Sequence, residues 1–283
     1  MRHSINKIFV FIAVLAIAGA VCGRAAPADK KESVLYIFAH QDDEIFIIGR
    51  MASDARSGRE VHAVWVTDGS GTADAAAREK ESRASMKLAG IPQENLHFLG
   101  YQDRYSWKHL DAAYADIMKI AEALQPVEIT TDAYEGGNID HDVTSLLGSV
   151  IAPALASKPV HYEFPLYNTY KGNYRAGKFL PRDESPTLYA KLDDQLANIK
   201  IGALDLYPTQ MAIINTIKAV TSKKKILKDG EIYRVSPKHD YMKKPVDETL
   251  GYELNPRNPM TFEDWKKEVG PFLEKHKAAG DGK

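Results

Sequence analysis

Apolar positions in the first two-thirds of the chain fall into two alternating kinds. Short unbroken runs, of which Val34-Leu35-Tyr36-Ile37-Phe38-Ala39 is the first, have the length of strands buried on both faces. Longer stretches with polar residues interspersed fit helices laid against such strands. The pattern predicts strands over 34–39, 61–67, 96–99, 127–131 and 159–164. Helices are predicted from the first strand to about Arg56, then over 75–89, 112–124 and about 142–156. Gly90 and Pro92 end the second helix, Pro126 stops the third, and Pro153 kinks the fourth. Buried strands alternating with helices of this length predict an α/β chain. The expected architecture is a Rossmann-like three-layer fold with a mostly parallel central sheet and right-handed crossovers.

The rhythm changes after Phe164. Residues 188–220 read as largely helical with a break at Tyr207-Pro208, and 223–228 is a basic, solvated run closed by an Asp229-Gly230 turn. Ile232–Val235 reads as an edge strand. The remainder, to about Phe272, is rich in proline and aromatic residues and is expected to wrap over the domain.

The first residues belong to another pattern. Arg2 and Lys7 precede an apolar run from Ile8 to Val21 and the small residues Ala18-Gly19-Ala20, the make-up of a secretory signal peptide over 1–25. The run falls short of the roughly 20 apolar residues of a membrane span. An uncleaved N-terminus is therefore the sole membrane attachment expected. The chain is read as exported, periplasmic or secreted, with residues 26–283 forming one domain and its C-terminal extension. The lone cysteine, Cys22, lies inside the leader, so cleavage after Ala25 leaves no disulfide. Charged residues make up 27% of the chain and the net charge is -1; without the leader, 34 basic residues face 38 acidic ones. Such a balance argues against a nucleic acid or an anionic membrane surface as partner. No stable protein partner is inferred.

Ligands of an open parallel sheet bind outside the carboxyl ends of its strands. His40, Asp42 and Asp43 follow the first strand, Asp68 the second, and Asn138, Asp140 and His141 a Gly-rich loop after the fourth. Two histidines and a carboxylate suit a catalytic zinc with an open position, and ferrous iron accepts a similar set. Of two adjacent aspartates, one can bind the metal while the other takes a proton from water. An acidic loop that caps a helix explains the first cluster equally well, and Asp68 suits its own turn as well as it suits a substrate.

Taken together, the motifs are similar to those of the LmbE-like, or PIG-L-like, zinc-dependent N-deacetylases. Ala39-His40-Gln41-Asp42-Asp43-Glu44 resembles that family's Ala-His-Pro-Asp-Asp-Glu, and Asn138-Ile139-Asp140-His141 stands in the place of its His-Pro-Asp-His. Thr67-Asp68-Gly69, the helix bearing Arg78 and Glu81, and Leu99-Gly100-Tyr101-Gln102-Asp103 also resemble family segments. The resemblance implies zinc on His40, Asp43 and His141, Asp42 as general base, Asp140 orienting the ligands, and Arg78 toward substrate, although Arg78 suits a pairing with Glu81 or a rim carboxylate equally well. The partner it implies is an N-acetylated amino sugar or glycoconjugate, which would lose acetate. Gln41 replaces a proline at no cost in ligands. Asn138 replaces a histidine: it can donate a hydrogen bond to an oxyanion but supplies no proton at neutral pH. A surviving metal site with slow or specialised catalysis is the expectation.

Overall fold

In the computed structural model, residues 31–181, 185–257 and 260–276 are described. The predicted signal peptide lies outside them. From Lys31 onward the described chain is one compact unit.

Five strands form the parallel part of the sheet: β1 (Ser33–Phe38), β2 (Glu60–Thr67), β3 (Leu96–Tyr101), β4 (Glu128–Asp132) and β5 (Val160–Phe164). Between them run α1 (Ile48–Arg56), α2 (Ala75–Leu88), α3 (Leu110–Leu124) and α4 (Ile139–Ala154). The mostly parallel, three-layer arrangement expected from the sequence is present. Pleating explains the unbroken apolar runs. Leu35 and Ile37 of β1 face a core shared with α3 and α4, whereas Val34, Tyr36 and Phe38 face one shared with α1.

Beyond β5 come the short strands β6 (Tyr167–Asn168), β7 (Arg175–Ala176) and β8 (Leu188–Ala190), then α5 (Asp194–Ala203), α6 (Met211–Val220) and α7 (Lys223–Asp229). The last elements are β9 (Glu231–Val235), α8 (Gly251–Leu254) and α9 (Phe262–Lys275). The sheet order is β3-β2-β1-β4-β5-β9-β8, with β9 antiparallel to both neighbours. Two expectations are corrected here. β9 is internal rather than an edge, because residues 188–190, read as helical, form the outer strand β8. The basic run 223–228 forms most of a helix, capped by Ser222 and anchored by the buried Ile226. In the C-terminal arm, Trp265 of α9 is fully buried in the core that contains α3 and α4, and its indole N–H donates to the Tyr241 carbonyl at 2.8 Å.

Strand order reverses between β1 and β4: from β1 the chain moves to β2 and β3 on one side, then returns to β4 on the other. The crevice outside the carboxyl ends of these two strands is where such a fold opens a site.

Candidate metal centre

β1 ends at Phe38, and the chain turns through His40–Asp43 into a short 3-10 helix over Asp43–Phe46. β4 ends at Asp132, and a loop through Gly136 and Gly137 leads to Asn138, which caps α4 by accepting from the Asp140 N–H at 2.9 Å. A Cβ on Gly137 would stand 2.1 Å from the Tyr167 carbonyl oxygen, so this loop passes where only glycine fits. Both turns therefore deliver their side chains into one crevice.

There, His40 Nδ1 lies 3.2 Å from His141 Nε2 and 3.3 Å from Asp43 Oδ2, and His141 Nε2 lies 3.3 Å from Asp43 Oδ1. A tetrahedral zinc with bonds of about 2.0–2.2 Å spaces its ligand atoms about 3.3–3.6 Å apart. The three side chains, all buried, thus have the spacing that one small cation demands. The donor set suits zinc and also ferrous iron.

The other face of His40 is equally ordered. Its Nε2 lies 3.2 Å from Asp140 Oδ2 and 3.4 Å from Asp103 Oδ1. A ring nitrogen facing two carboxylates keeps its proton, so Nδ1 is the nitrogen that would give up its proton to a metal. Asp140 is itself held by the Arg104 N–H at 2.6 Å and by the Ser106 N–H and hydroxyl at 3.2 and 2.5 Å. It therefore sits behind the ring rather than in the ligand position.

Asp42, the neighbour of Asp43, pairs with Arg78, whose Nη2 donates to Asp42 Oδ1 at 2.9 Å and to the Gln41 carbonyl at 2.8 Å. Nη1 of the same arginine donates to the Gly69 carbonyl and to Thr72 Oγ1 at 3.0 and 3.1 Å. Arg78 is thus buried and occupied in fixing Asp42 and the loop after β2. Asp68 Oδ1 accepts from the Ser70 and Asp103 N–H groups at 2.9 and 3.1 Å, so it ties the loops after β2 and β3 together. The Asn138 amide also has polar reach to the Tyr167 hydroxyl, whose ring meets that of His141 edge-on at 5.2 Å.

Electrostatics separate the two adjacent aspartates. Burial pushes the Asp42 carboxyl up to about 7, with Asp43 adding to the rise and Arg78 opposing it. Burial acts on Asp43 too, but His141 and His40 outweigh it and hold the carboxyl far below the usual range. For His40, burial alone would lower the pKa; the Asp103 and Asp43 carboxylates reverse this and raise it well above the ordinary value.

Two residues without a role in the sequence reading complete the crevice. Asp103, at the end of β3, shares His40 Nε2. Asp132, at the end of β4, accepts from the Ala39 N–H at 3.0 Å and from Thr144 Oγ1 at 2.8 Å, fixing the approach to His40. Both obey the strand-end rule that singled out His40 and Asp68. His161, in contrast, lies near the start of β5, with its Nε2 2.9 Å from Thr131 Oγ1, and takes no part. Tyr134, in the loop after β4, is buried among Tyr241, His239 and Trp265.

Residues 35–152 match the family model described as PIG-L: GlcNAc-PI de-N-acetylase. Among solved structures, a deacetylase–bog complex from the biosynthesis pathway of teicoplanin is similar with a TM-score of 0.58 at 14% identity, over 71% of this chain and 96% of that one. The zinc-inhibited form of teicoplanin deacetylase matches with a TM-score of 0.57 at 16% identity, over 71% of this chain and 97% of that one. An N,N'-diacetylchitobiose deacetylase from Pyrococcus horikoshii matches with a TM-score of 0.50 at 24% identity, over 74% of this chain and 85% of that one. At these identities the likeness establishes the fold. No curated protein matches the chain.

Proposed function

From the match of residues 35–152 to the PIG-L family model, we propose that this chain is a metal-dependent N-deacetylase. Its substrate class is an N-acetylated amino sugar or glycoconjugate, and its products are acetate and a free amine. The observation that carries the reading is the division of labour at one turn. His40, Asp43 and His141 hold ligand atoms 3.2–3.3 Å apart, while the adjacent Asp42 pairs instead with Arg78.

Zinc held by those three residues would supply Lewis acidity to the acetamide carbonyl and an acidified water. Asp42 takes the proton of the attacking water and returns it to the departing amine. A carboxylate held at a fixed orientation beside that water can exchange protons in both directions. Arg78 fixes the orientation of that carboxyl. Asp140 and Asp103 hold the His40 ring, and the Asn138 amide offers a neutral donor to the carbonyl oxygen as it gains charge.

The test is acetate release from N-acetylglucosamine-containing glycans by purified protein of known zinc and iron content. Asp42→Asn should abolish release with the metal retained. Equal release by the variant, or none by the wild type across the panel, refutes the proposal, the latter outcome favouring a metal-retaining glycan binder. We also infer export to the periplasm or beyond, from the predicted signal peptide, which makes envelope glycans natural candidates. Recovery of the expressed protein solely in the cytosolic fraction would contradict that inference.

A further inference from the structure

The loop from β4 into α4 carries Gly136 and Gly137, and parts of the chain outside residues 35–152 pack against both. In the C-terminal arm, the Gly251 N–H donates to the Gly136 carbonyl at 2.7 Å. A Cβ on Gly251 would stand 2.8 Å from the Gly137 carbonyl oxygen, and one on Gly136 would stand 2.7 Å from Leu250 Cδ2. Leu250 is itself fully buried. From β6, Tyr167 meets Gly137, and the buried Asn168 donates to Glu135 Oε1 at 3.1 Å. We propose that Leu250 and Gly251 are positioning residues of the metal centre, holding the loop that sets the place of Asn138 and His141.

The inference rests on the reading of His40, Asp43 and His141 as metal ligands. His40 and Asp43 belong to the turn after β1, whereas His141 lies in the first turn of α4, so the spacing of the three depends on two separate segments. The loop after β4 and the start of α4 are tied into one unit. Asp142 Oδ1 accepts from the Glu135 and Gly136 N–H groups at 3.1 and 3.0 Å, and Asn138 caps the helix. His141 lies between these two ties in the chain, so a displacement of Gly136 is passed to its imidazole. Glycine has the most backbone freedom to lose, and two in succession leave the loop dependent on outside contacts for its conformation. The arm that supplies them is itself held. The Glu253 carboxylate accepts from the Leu250 and Phe262 N–H groups at 2.8 and 2.9 Å and from Lys244 Nζ at 2.7 Å. Groups that orient metal ligands from behind govern metal affinity by about 10–100-fold, and here the orienting contact is made to backbone.

The experiment uses the full chain and two readouts. One is zinc affinity, measured by competition with a chelator; the other is the visible absorption of the cobalt(II)-loaded protein, which reports the geometry of the ligands. Gly251→Ala puts a methyl group against the Gly137 carbonyl, and Leu250→Ala withdraws the side chain that rests on Gly136. Each should weaken zinc binding by about 10–100-fold and shift the cobalt spectrum. Leu250→Met, which keeps the volume, should restore both readings. Val269→Ala, in the same core but on α9, should lower the melting temperature while keeping the wild-type spectrum and affinity. If Gly251→Ala fails to fold, Leu250→Ala and its methionine rescue carry the test. Wild-type affinity and spectrum in the Leu250→Ala protein overturn the proposal. So does an equal loss of zinc in Val269→Ala, which would make the effect one of general stability. A wild type that takes up neither zinc nor cobalt sinks the metal-ligand reading and the proposal with it. A wild type that binds both, with variants that match it, sinks the role of the arm alone.

Discussion

At the scale of single residues, Asn138 has two jobs that conflict in the choice of side chain. Its Oδ1 caps α4 through the N–H of Asp140, the aspartate that steadies His40, while its amide has polar reach to the Tyr167 hydroxyl. Asparagine is among the best caps, and it satisfies one of the donors left open at a helix start. A histidine here would bring a group that can deliver a proton, at the expense of the cap. Asn138→His should therefore raise turnover on the true substrate while lowering stability by about 1 kcal/mol. Steady-state kinetics alongside thermal melts measure both quantities. Unchanged or reduced turnover would show that the asparagine does not limit catalysis. Asp42 and Asp43 make the same point from the other direction. Adjacent in sequence and identical in chemistry, they part because one faces two imidazoles and the other a guanidinium.

At the scale of elements, the loop from β4 into α4 carries a charge that burial disfavours. Glu135 accepts from the Asn168 amide and the Leu180 N–H, and burial, with Glu163 adding, pushes its carboxyl up to about 8. A carboxyl raised above its unfolded value, about 4.5, binds more protons folded than unfolded between those two pH values. Stability should therefore fall as pH rises from about 5 to 8, by at most about 1.4 kcal/mol per unit. Glu135→Gln should flatten that slope, and melting temperatures of both proteins across the window test it; parallel curves would refute the assignment. Sequence alone exposed β1 and β2 through the nearly continuous apolar runs they bury, and β3 to β5, shorter and less apolar, through their alternation with helices. β8 was not, because three residues on the rim of a sheet, only partly buried, leave no periodic signal. α7 was hidden because its single buried anchor, Ile226, sits among lysines. Asp103 and Asp132 were within reach of the strand-end rule, but their pairing with His40 and with Ala39 depends on sheet order. One juxtaposition was beyond reach altogether: nothing in Ile213 and Ile217 announces that a helix some 170 residues later lines the same cavity as Asp43.

At the scale of the molecule, the crevice joins the ends of β1, β3 and β4 through acidic groups that a cation or protons must reconcile. Without metal, protons do this work: Asp42 is pushed up to about 7, burial and Asp43 raise Asp132 well above its ordinary value, and His40 holds its proton more tightly than usual. Metal binding must displace protons from this set, His40 Nδ1 first among them, so affinity should increase with pH. A cation bound to the folded state alone stabilises it by about 2.7 kcal/mol at a hundredfold excess over Kd, which corresponds to about 5–10 °C for a chain of this size. Saturating zinc should accordingly raise the melting temperature of chelator-treated protein, and more at pH 8 than at pH 6. Asp43→Ala should lose the shift, since it removes a ligand. Asp42→Asn should keep it and reduce its pH dependence, since it removes a proton-holding neighbour. A zinc-induced shift that is equal at both pH values would mean that the buried carboxylates and His40 are not in competition with the metal, and a shift that survives in Asp43→Ala would place the ion somewhere other than between His40 and His141.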